Sequence, residues 1–143
     1  FVESAYLTLC RRGELLALTR HDCDWSNSTA ILKETKDNNK SRVIGLAPKV
    51  IELLQKLPST VDGRFFPVRS ISAFEKAFSR AVKRAELKDF RMHDLRHTGA
   101  TDLAEQGWST VELMQQGGWT SAAMVKRYAN ISPRHLARKL KQG

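Results

Sequence analysis

The chain has 143 residues, 41% hydrophobic and 27% charged, which is enough for one domain with a buried core and argues against a disordered or fibrous protein. Its formal net charge of +9 makes nucleic acid the first partner to consider, although a basic surface also serves solubility or a membrane surface. No segment reaches the roughly 18 apolar residues of a membrane span, and no signal peptide is recognisable, so we expect a soluble, cytoplasmic protein. Its two cysteines, Cys10 and Cys23, have neither metal-knuckle spacing nor disulfide-scaffold density, which predicts reduced thiols.

The N-terminal half of the chain carries helical and then strand-like patterns. Apolar residues at helical spacing predict one helix from about Val2 to Leu18. Strand and turn signals at 22–25, 29–35 and 41–46 predict a small antiparallel sheet with Lys36 at a hairpin tip. Pro48 suits the first turn of a further helix that runs to about Leu57.

The C-terminal half is predicted to be helical. The 3.6-residue period is clearest in one apolar stripe: Ile71, Phe74, Ala77, Phe78, Ala81, Val82 and Ala85. A helix over 93–106 ends at Gly107, and Ser109 with Glu112 forms a capping box for a short helix that Gly117 and Gly118 terminate. Two more helices are predicted at 121–129 and 133–141, the last of them basic.

A polar cluster stands at the start of the helix over 93–106. His93, Arg96 and His97 share the face that otherwise turns inward. Either Arg96 pairs with a buried carboxylate, or this end of the face lines an anion site. His93 and His97 also have the spacing of a metal pair, but Asp94 stands where a metallohydrolase has glutamate and no convincing third ligand follows.

The run HDLRHTGATDLAEQGWSTVELMQQGGWTSAAMVKRYANIS resembles the C-terminal signature of tyrosine recombinases of the phage-integrase type. That family has an HxxR motif, then a Gly-His or Gly-Trp pair, then a tyrosine nine residues later. His93 and Arg96 match the first motif, Trp119 after Gly118 matches the second, and Tyr128 stands at the third position.

Two upstream segments extend the resemblance over nearly the whole chain. LCRRGELLAL is similar to the segment with the family's first catalytic arginine, which makes Arg11 that arginine and Glu14 its acidic companion. KETKDNNKSRVIGL resembles the hairpin with the catalytic lysine, which Lys36 matches. The chain departs from the pattern at Gly45, where the family often has proline, and at Gly117, where leucine is common.

The resemblance implies a mainly helical α+β domain with a three-stranded antiparallel sheet, the phage-integrase catalytic fold. Residues 1–143 would be the catalytic domain, without the family's N-terminal DNA-clamping domain. The implied function is site-specific DNA recombination or integration, of phage or prophage origin, by a homotetramer on paired sites in double-stranded DNA, with accessory DNA-bending proteins as further partners. No membrane takes part. The basic last helix would dock on a neighbouring subunit or form a solvated tail.

The resemblance also implies a chemistry for each matched residue. Arg11 and Arg96 would neutralise the nonbridging phosphate oxygens, and the Trp119 indole would donate to one of them. Tyr128 would attack phosphorus and form a 3′-phosphotyrosyl bond. The remaining matches are proton-transferring or supporting residues: Lys36 as general acid, His93 as proton-transfer partner, Glu14 as a hydrogen-bonding support, and His97 as an orienting or merely packing residue. Because the intermediate conserves the bond energy, no cofactor or metal is implied.

Two other functions are compatible with parts of this pattern. A type IB topoisomerase has much of the same residue set, but the phage-like hairpin and the short length argue against it. A DNA-binding module that has lost its catalysis is the second alternative, and the intact six-residue set argues against that.

Overall fold

The computed structural model describes residues 1–33, 40–128 and 133–143, apart from the side chain of His135. The predicted hairpin tip with Lys36 lies outside these ranges. The helices found within them are α1 Val2–Thr8, α2 Arg12–Ala17, α3 Pro48–Gln55, α4 Ile71–Arg84, α5 Met92–Glu105, α6 Thr110–Gly117, α7 Ala122–Val125 and α8 Pro133–Gln142. The strands are β1 Cys23–Asp24, β2 Thr29–Leu32 and β3 Arg42–Gly45, and 3₁₀ turns lie at Arg20–Asp22 and Lys126–Tyr128.

The strands form the predicted antiparallel sheet, in the order β1-β2-β3. Ala30 lies opposite both Cys23 and Ile44. Alternate residues face opposite sides of a sheet, so Ala30 and Ile44 enter the core, whereas Ile31 and Val43 stay about half exposed. The mainly helical α+β class with a small three-stranded sheet is thus confirmed.

The single helix predicted from Val2 to Leu18 is wrong, because the chain breaks between α1 and α2. Leu9 ends α1 in the left-handed region at φ 60°, and Arg11 precedes α2 in an extended conformation. One capping contact and one long-range contact account for the break. The carboxylate of Glu14 accepts the backbone N–H of Arg11 at 2.8 Å, and the carbonyl of Leu9 accepts a hydrogen bond from Arg96 at 2.5 Å. These two contacts stabilise the broken conformation more than the backbone hydrogen bonds of a continuous helix would.

The helix α4 forms where its apolar period predicts, with Ser70 as N-cap. Its apolar stripe is only partly covered, and none of its residues is buried. Phe74 packs on Phe1 at a centroid distance of 4.6 Å, and Phe78 packs on Phe90 at 6.3 Å. The predicted capping box of α6 is present as well: Ser109 Oγ accepts from Glu112 N at 3.2 Å, and Gly118 ends the helix at φ 71°.

The contact between α1 and α5 brings the two halves of the chain together. A side chain at Gly99 would place its Cβ 2.3 Å from the backbone oxygen of Tyr6, so only glycine permits this approach. One group of buried residues joins α1 to the sheet and α3, and another gathers Leu9, Ala100 and Leu113 with the aromatic residues near α7. The residues after α1 and those at the start of α5 therefore become neighbours. Within the described ranges, no helix is both long and apolar enough to cross a membrane.

Candidate active site

A pocket of about 280 Å³ opens where the break between α1 and α2 meets the start of α5. Arg11, Arg12, His93 and Arg96 are among the residues that line it. Arg12 is paired with Glu75 at 2.5 Å. The guanidinium groups of Arg11 and Arg96 and an imidazole around one small volume nevertheless favour a multiply hydrogen-bonded anion such as a phosphate. Arg11, His93 and Arg96, which are 85 residues apart at their extremes, are thus brought together as the sequence predicts.

Arg96 is the most buried cation of the pocket, with 3% of its surface exposed. Its Cζ lies 4.0 Å from the centroid of the Trp119 ring, and burial, reinforced by the charge of Arg11, lowers its pKa to about 10. Its Nε has no hydrogen-bond partner among the residues that the structure describes, nor does a described carboxylate form an ion pair with it. A buried guanidinium without a described carboxylate beside it is costly unless an anion neutralises it. Of the two interpretations of Arg96, the anion site is therefore favoured.

Arg11 lies between the pocket and the end of α6. Its NH1 contacts Glu14 Oε1 at 3.3 Å, and its NH2 donates to the carbonyl of Gly118 at 3.2 Å. The Glu14 side chain is almost fully buried. Burial would raise the pKa of Glu14, but hydrogen bonds and charge from Arg42, together with the Arg11 backbone N–H, keep it below its ordinary value. Glu14 therefore remains an anion that holds Arg11 in place.

The two histidines of α5 are in contact. The rings of His93 and His97 meet edge to face with centroids 4.5 Å apart. Burial lowers the pKa of His93, and the neighbouring His97 and Arg96 lower it further. Burial and the charge of Arg127 lower the pKa of His97. Both rings are therefore neutral near pH 7. In the part of the chain that the structure describes, His, Cys, Asp and Glu side chains form no group of three that could hold a metal ion.

Trp119 and Tyr128 continue the site away from the pocket. Their rings lie 5.3 Å apart, and the Tyr128 hydroxyl is hydrogen-bonded to Nδ1 of His97. Tyr128 is buried, and this burial raises its pKa against the opposing effect of Arg127 and Arg96. Tyr128 is not among the residues that line the pocket, but Trp119 contacts both it and Arg96.

Of the eight predicted site residues, seven form one connected set: Arg11, Glu14, His93, Arg96, His97, Trp119 and Tyr128. Lys36 lies outside the described residues.

Sequence reasoning missed Arg42 and Gln116. Arg42 forms a close, two-pronged ion pair with Glu14, and the Gln116 amide bonds the backbone of Thr8 and of Gly45. The sequence holds one signal for Arg42, since it stands two residues before the core residue Ile44 in a strand and so on the same, inward face.

Both departures from the family pattern have local causes. Gly45 donates its N–H to Gln116 Oε1 at 2.9 Å, a bond that proline cannot make. A Cβ at Gly117 would lie 2.0 Å from the Trp119 ring, so the absence of a side chain there makes room for the indole.

The fold is a mainly helical α+β domain with a cationic pocket, and comparison with known proteins identifies its class. The model of the phage integrase family matches residues 1–135, and the chain belongs to that family. It is 32% identical to the integrase of Salmonella phage P22, over 99% of this chain and 41% of that protein. The chain thus spans about two fifths of the length of this relative.

Solved structures agree with this assignment. The catalytic domain of bacteriophage HP1 integrase matches with a TM-score of 0.74 and 25% identity, over 98% of this chain and 78% of that one. The Tn1549 transposon integrase, solved in complex with circular intermediate DNA, matches in fold with a TM-score of 0.76 and 21% identity, over 99% and 58% of the two chains. The resemblance to tyrosine recombinases and the phage-integrase catalytic fold are confirmed.

Proposed function

We propose that residues 1–143 form the catalytic domain of a site-specific DNA recombinase, an integrase of phage or prophage origin. The domain cleaves and rejoins DNA strands through a 3′-phosphotyrosyl bond to Tyr128. The observation that carries the proposal is the shared pocket of Arg11, His93 and Arg96, in which the buried Arg96 has no carboxylate partner among the described residues. A scissile phosphate supplies Arg96 with the counter-charge that no described carboxylate gives it.

Arg11 and Arg96 bind the two nonbridging oxygens and stabilise the charge that develops on them in the transition state. Trp119 stacks on Arg96 and donates its indole N–H to the same phosphate. His93, which is neutral near pH 7, transfers protons around the phosphate. Glu14 fixes Arg11 through its carboxylate.

Tyr128 supplies the nucleophile. Its oxygen forms a bond to phosphorus and passes its proton to the neutral His93, while the bond from phosphorus to the 5′ oxygen breaks and that oxygen takes a proton from Lys36. The hydroxyl must first leave its hydrogen bond with His97, which is neutral and holds it outside the pocket. Reversal of the same steps on a second strand rejoins the DNA without ATP.

The partners follow from the same reasoning. The net charge of +9 suits double-stranded DNA, and the Tn1549 integrase to which the chain is similar was solved with DNA. Recombination between two sites uses a homotetramer, with accessory DNA-bending proteins where the sites require them. The protein acts in the cytoplasm, where bacterial DNA is found.

A covalent trapping experiment tests the function. The full-length protein is incubated with random-sequence duplexes, and the bound duplexes are sequenced and remade with a nick beside the cleavage site, so that the released fragment prevents rejoining. We expect an adduct that resists SDS and that Tyr128→Phe abolishes. Tyr6→Phe is the matched control, because Tyr6 bonds Asp102 away from the pocket and should leave the adduct intact.

Two results would contradict the proposal. Binding of duplex DNA without any adduct in the wild type indicates a module that has lost catalysis. An adduct accompanied by relaxation of supercoils without preference for a site indicates a type IB topoisomerase.

A further inference from the structure

Arg42, the first residue of β3, is not part of the residue set that the family resemblance supplies. Only 9% of its side chain is exposed. Its guanidinium makes a two-pronged contact with Glu14, from NH1 to Oε1 and from NH2 to Oε2 at 3.0 Å. A buried arginine is expensive unless its charge and its N–H groups are satisfied, and a planar fork onto a carboxylate does both.

The carboxylate that Arg42 binds is the one that also holds Arg11. Arg11 reaches Glu14 with one nitrogen at 3.3 Å, a longer contact than those of Arg42. Because the Glu14 side chain is only 1% exposed, these two arginines, rather than solvent, neutralise its carboxylate. If Arg42 were absent, the buried carboxylate would depend on Arg11 alone and would compete with a phosphate for its guanidinium.

Arg42 also supports the end of α6. Its Nε donates to the carbonyl of Gln116 at 3.4 Å, and a Cβ at Gly118 would lie 2.6 Å from its Cζ. The guanidinium is thus packed directly against Gly118, whose carbonyl accepts from Arg11. One side chain therefore contacts both anchors of Arg11, namely the carboxylate of Glu14 and the backbone of Gly118.

We propose that Arg42 is a positioning residue for strand cleavage: it neutralises Glu14 and fixes the end of α6, and thereby directs the guanidinium of Arg11 toward the scissile phosphate. This inference rests on the proposed function. Arg42 acts through Arg11 and does not itself touch the phosphate. Its loss therefore weakens the neutralisation of the phosphate more than the binding of DNA.

The test compares Arg42→Met with Arg64→Met, a matched control in which the arginine pairs with Asp62 outside the pocket. Adduct formation is measured with full-length protein at saturating concentrations of the selected, nicked duplex. We expect Arg42→Met to form the adduct about 100-fold more slowly than the wild type, and Arg64→Met to match the wild type. Arg42→Lys keeps the charge but loses the fork, so its rate falls between the two.

A second substrate separates positioning from a merely structural role. A methylphosphonate at the cleavage site replaces one charged nonbridging oxygen by a methyl group and reduces the need for Arg11. If Arg42 acts through Arg11, the deficit of Arg42→Met shrinks about tenfold or more on this substrate. A wild-type rate for Arg42→Met, or an equal deficit on both substrates, overturns the inference.

A folding defect of the variant and a failure of the proposed function are each distinguished from a failure of this inference. If Arg42→Met does not fold, Arg42→Lys is compared on the two substrates, and an equal deficit there overturns the inference as well. Absence of an adduct in the wild type overturns the proposed function and this inference with it. An adduct in the wild type that Arg42 variants form unchanged overturns the inference alone.

Discussion

The hydroxyl of Tyr128 is hydrogen-bonded to Nδ1 of His97, and their rings lie 5.5 Å apart. The proposed nucleophile is therefore held by an imidazole that contacts His93, rather than by the phosphate pocket itself. Because burial raises the pKa of Tyr128, the hydroxyl is also protonated near neutral pH in this arrangement. In the proposed mechanism, Tyr128 therefore leaves His97 before it attacks the phosphate.

The bond between these two residues predicts a measurable coupling. His97→Ala leaves the buried Tyr128 hydroxyl without this partner, so we expect the free energy of unfolding to fall by about 1–3 kcal/mol. Tyr128→Phe should cost about 1 kcal/mol, and the double variant should cost less than the sum of the two. Urea unfolding of the wild type, the two single variants and the double variant measures this double-mutant cycle. Additive losses would show that the hydrogen bond contributes nothing to stability.

The pH dependence of stability follows from the two histidines of α5, His93 and His97. Burial lowers the pKa of both His93 and His97 below the ordinary value of 6.5. The unfolded chain therefore binds more protons than the folded one as the pH falls from 6.5 toward the folded pKa values, so stability decreases over that window and is retained above it.

Melting temperatures measured between about pH 8 and pH 5 check this expectation. This range extends about one unit or more to each side of the ordinary histidine pKa of 6.5. The double variant His93→Gln, His97→Gln should show a weaker decrease than the wild type. Gln55→Ala, a change of an exposed residue of α3 that does not titrate, should keep the wild-type slope. If the melting temperature of the double variant falls with pH as steeply as that of the wild type, the pH dependence does not come from His93 and His97.

Gly117 and Trp119 should behave as a matched pair. A side chain at Gly117 would displace the indole, so Gly117→Leu is expected to destabilise the domain by about 1–3 kcal/mol and to change the tryptophan emission. Adding Trp119→His, which replaces the indole by a smaller ring and restores the common family pattern, should recover part of that loss. Chemical unfolding followed by fluorescence and circular dichroism measures both effects. Failure of the second change to recover any stability would argue against the pairing.

Gly45 tests the role of the Gln116 amide. Gly45→Pro removes the N–H that binds Gln116 Oε1, and the buried amide loses a partner, which should cost about 1–3 kcal/mol. Gly45→Ala keeps the N–H, and its Cβ would lie at an ordinary contact distance of 3.6 Å from Gln116 Oε1. We therefore expect alanine to be tolerated and proline to lower the melting temperature. Equal effects of the two substitutions would contradict this account.

Much of the fold could be predicted from local sequence patterns. The apolar period over 71–85, the Ser109 and Glu112 capping box and the alternation in 29–32 and 42–45 each predict an element that the structure contains. The helix break at Leu9 could not be predicted, because the N-terminal apolar pattern continues through it. That break depends on Arg96, which is 87 residues away in the sequence.

The sequence by itself determined the family and the site candidates, because the spacing from Arg11 to Tyr128 is a property of the chain that folding does not alter. Only the tertiary structure decided which groups meet. The pairing of Glu14 with Arg42, the contact of Tyr128 with His97 and the space that Gly117 leaves for Trp119 all join side chains through packing. Hydrogen bonds and van der Waals contacts act over a few ångströms, so they are fixed by the folded geometry and leave little trace in the spacing of residues.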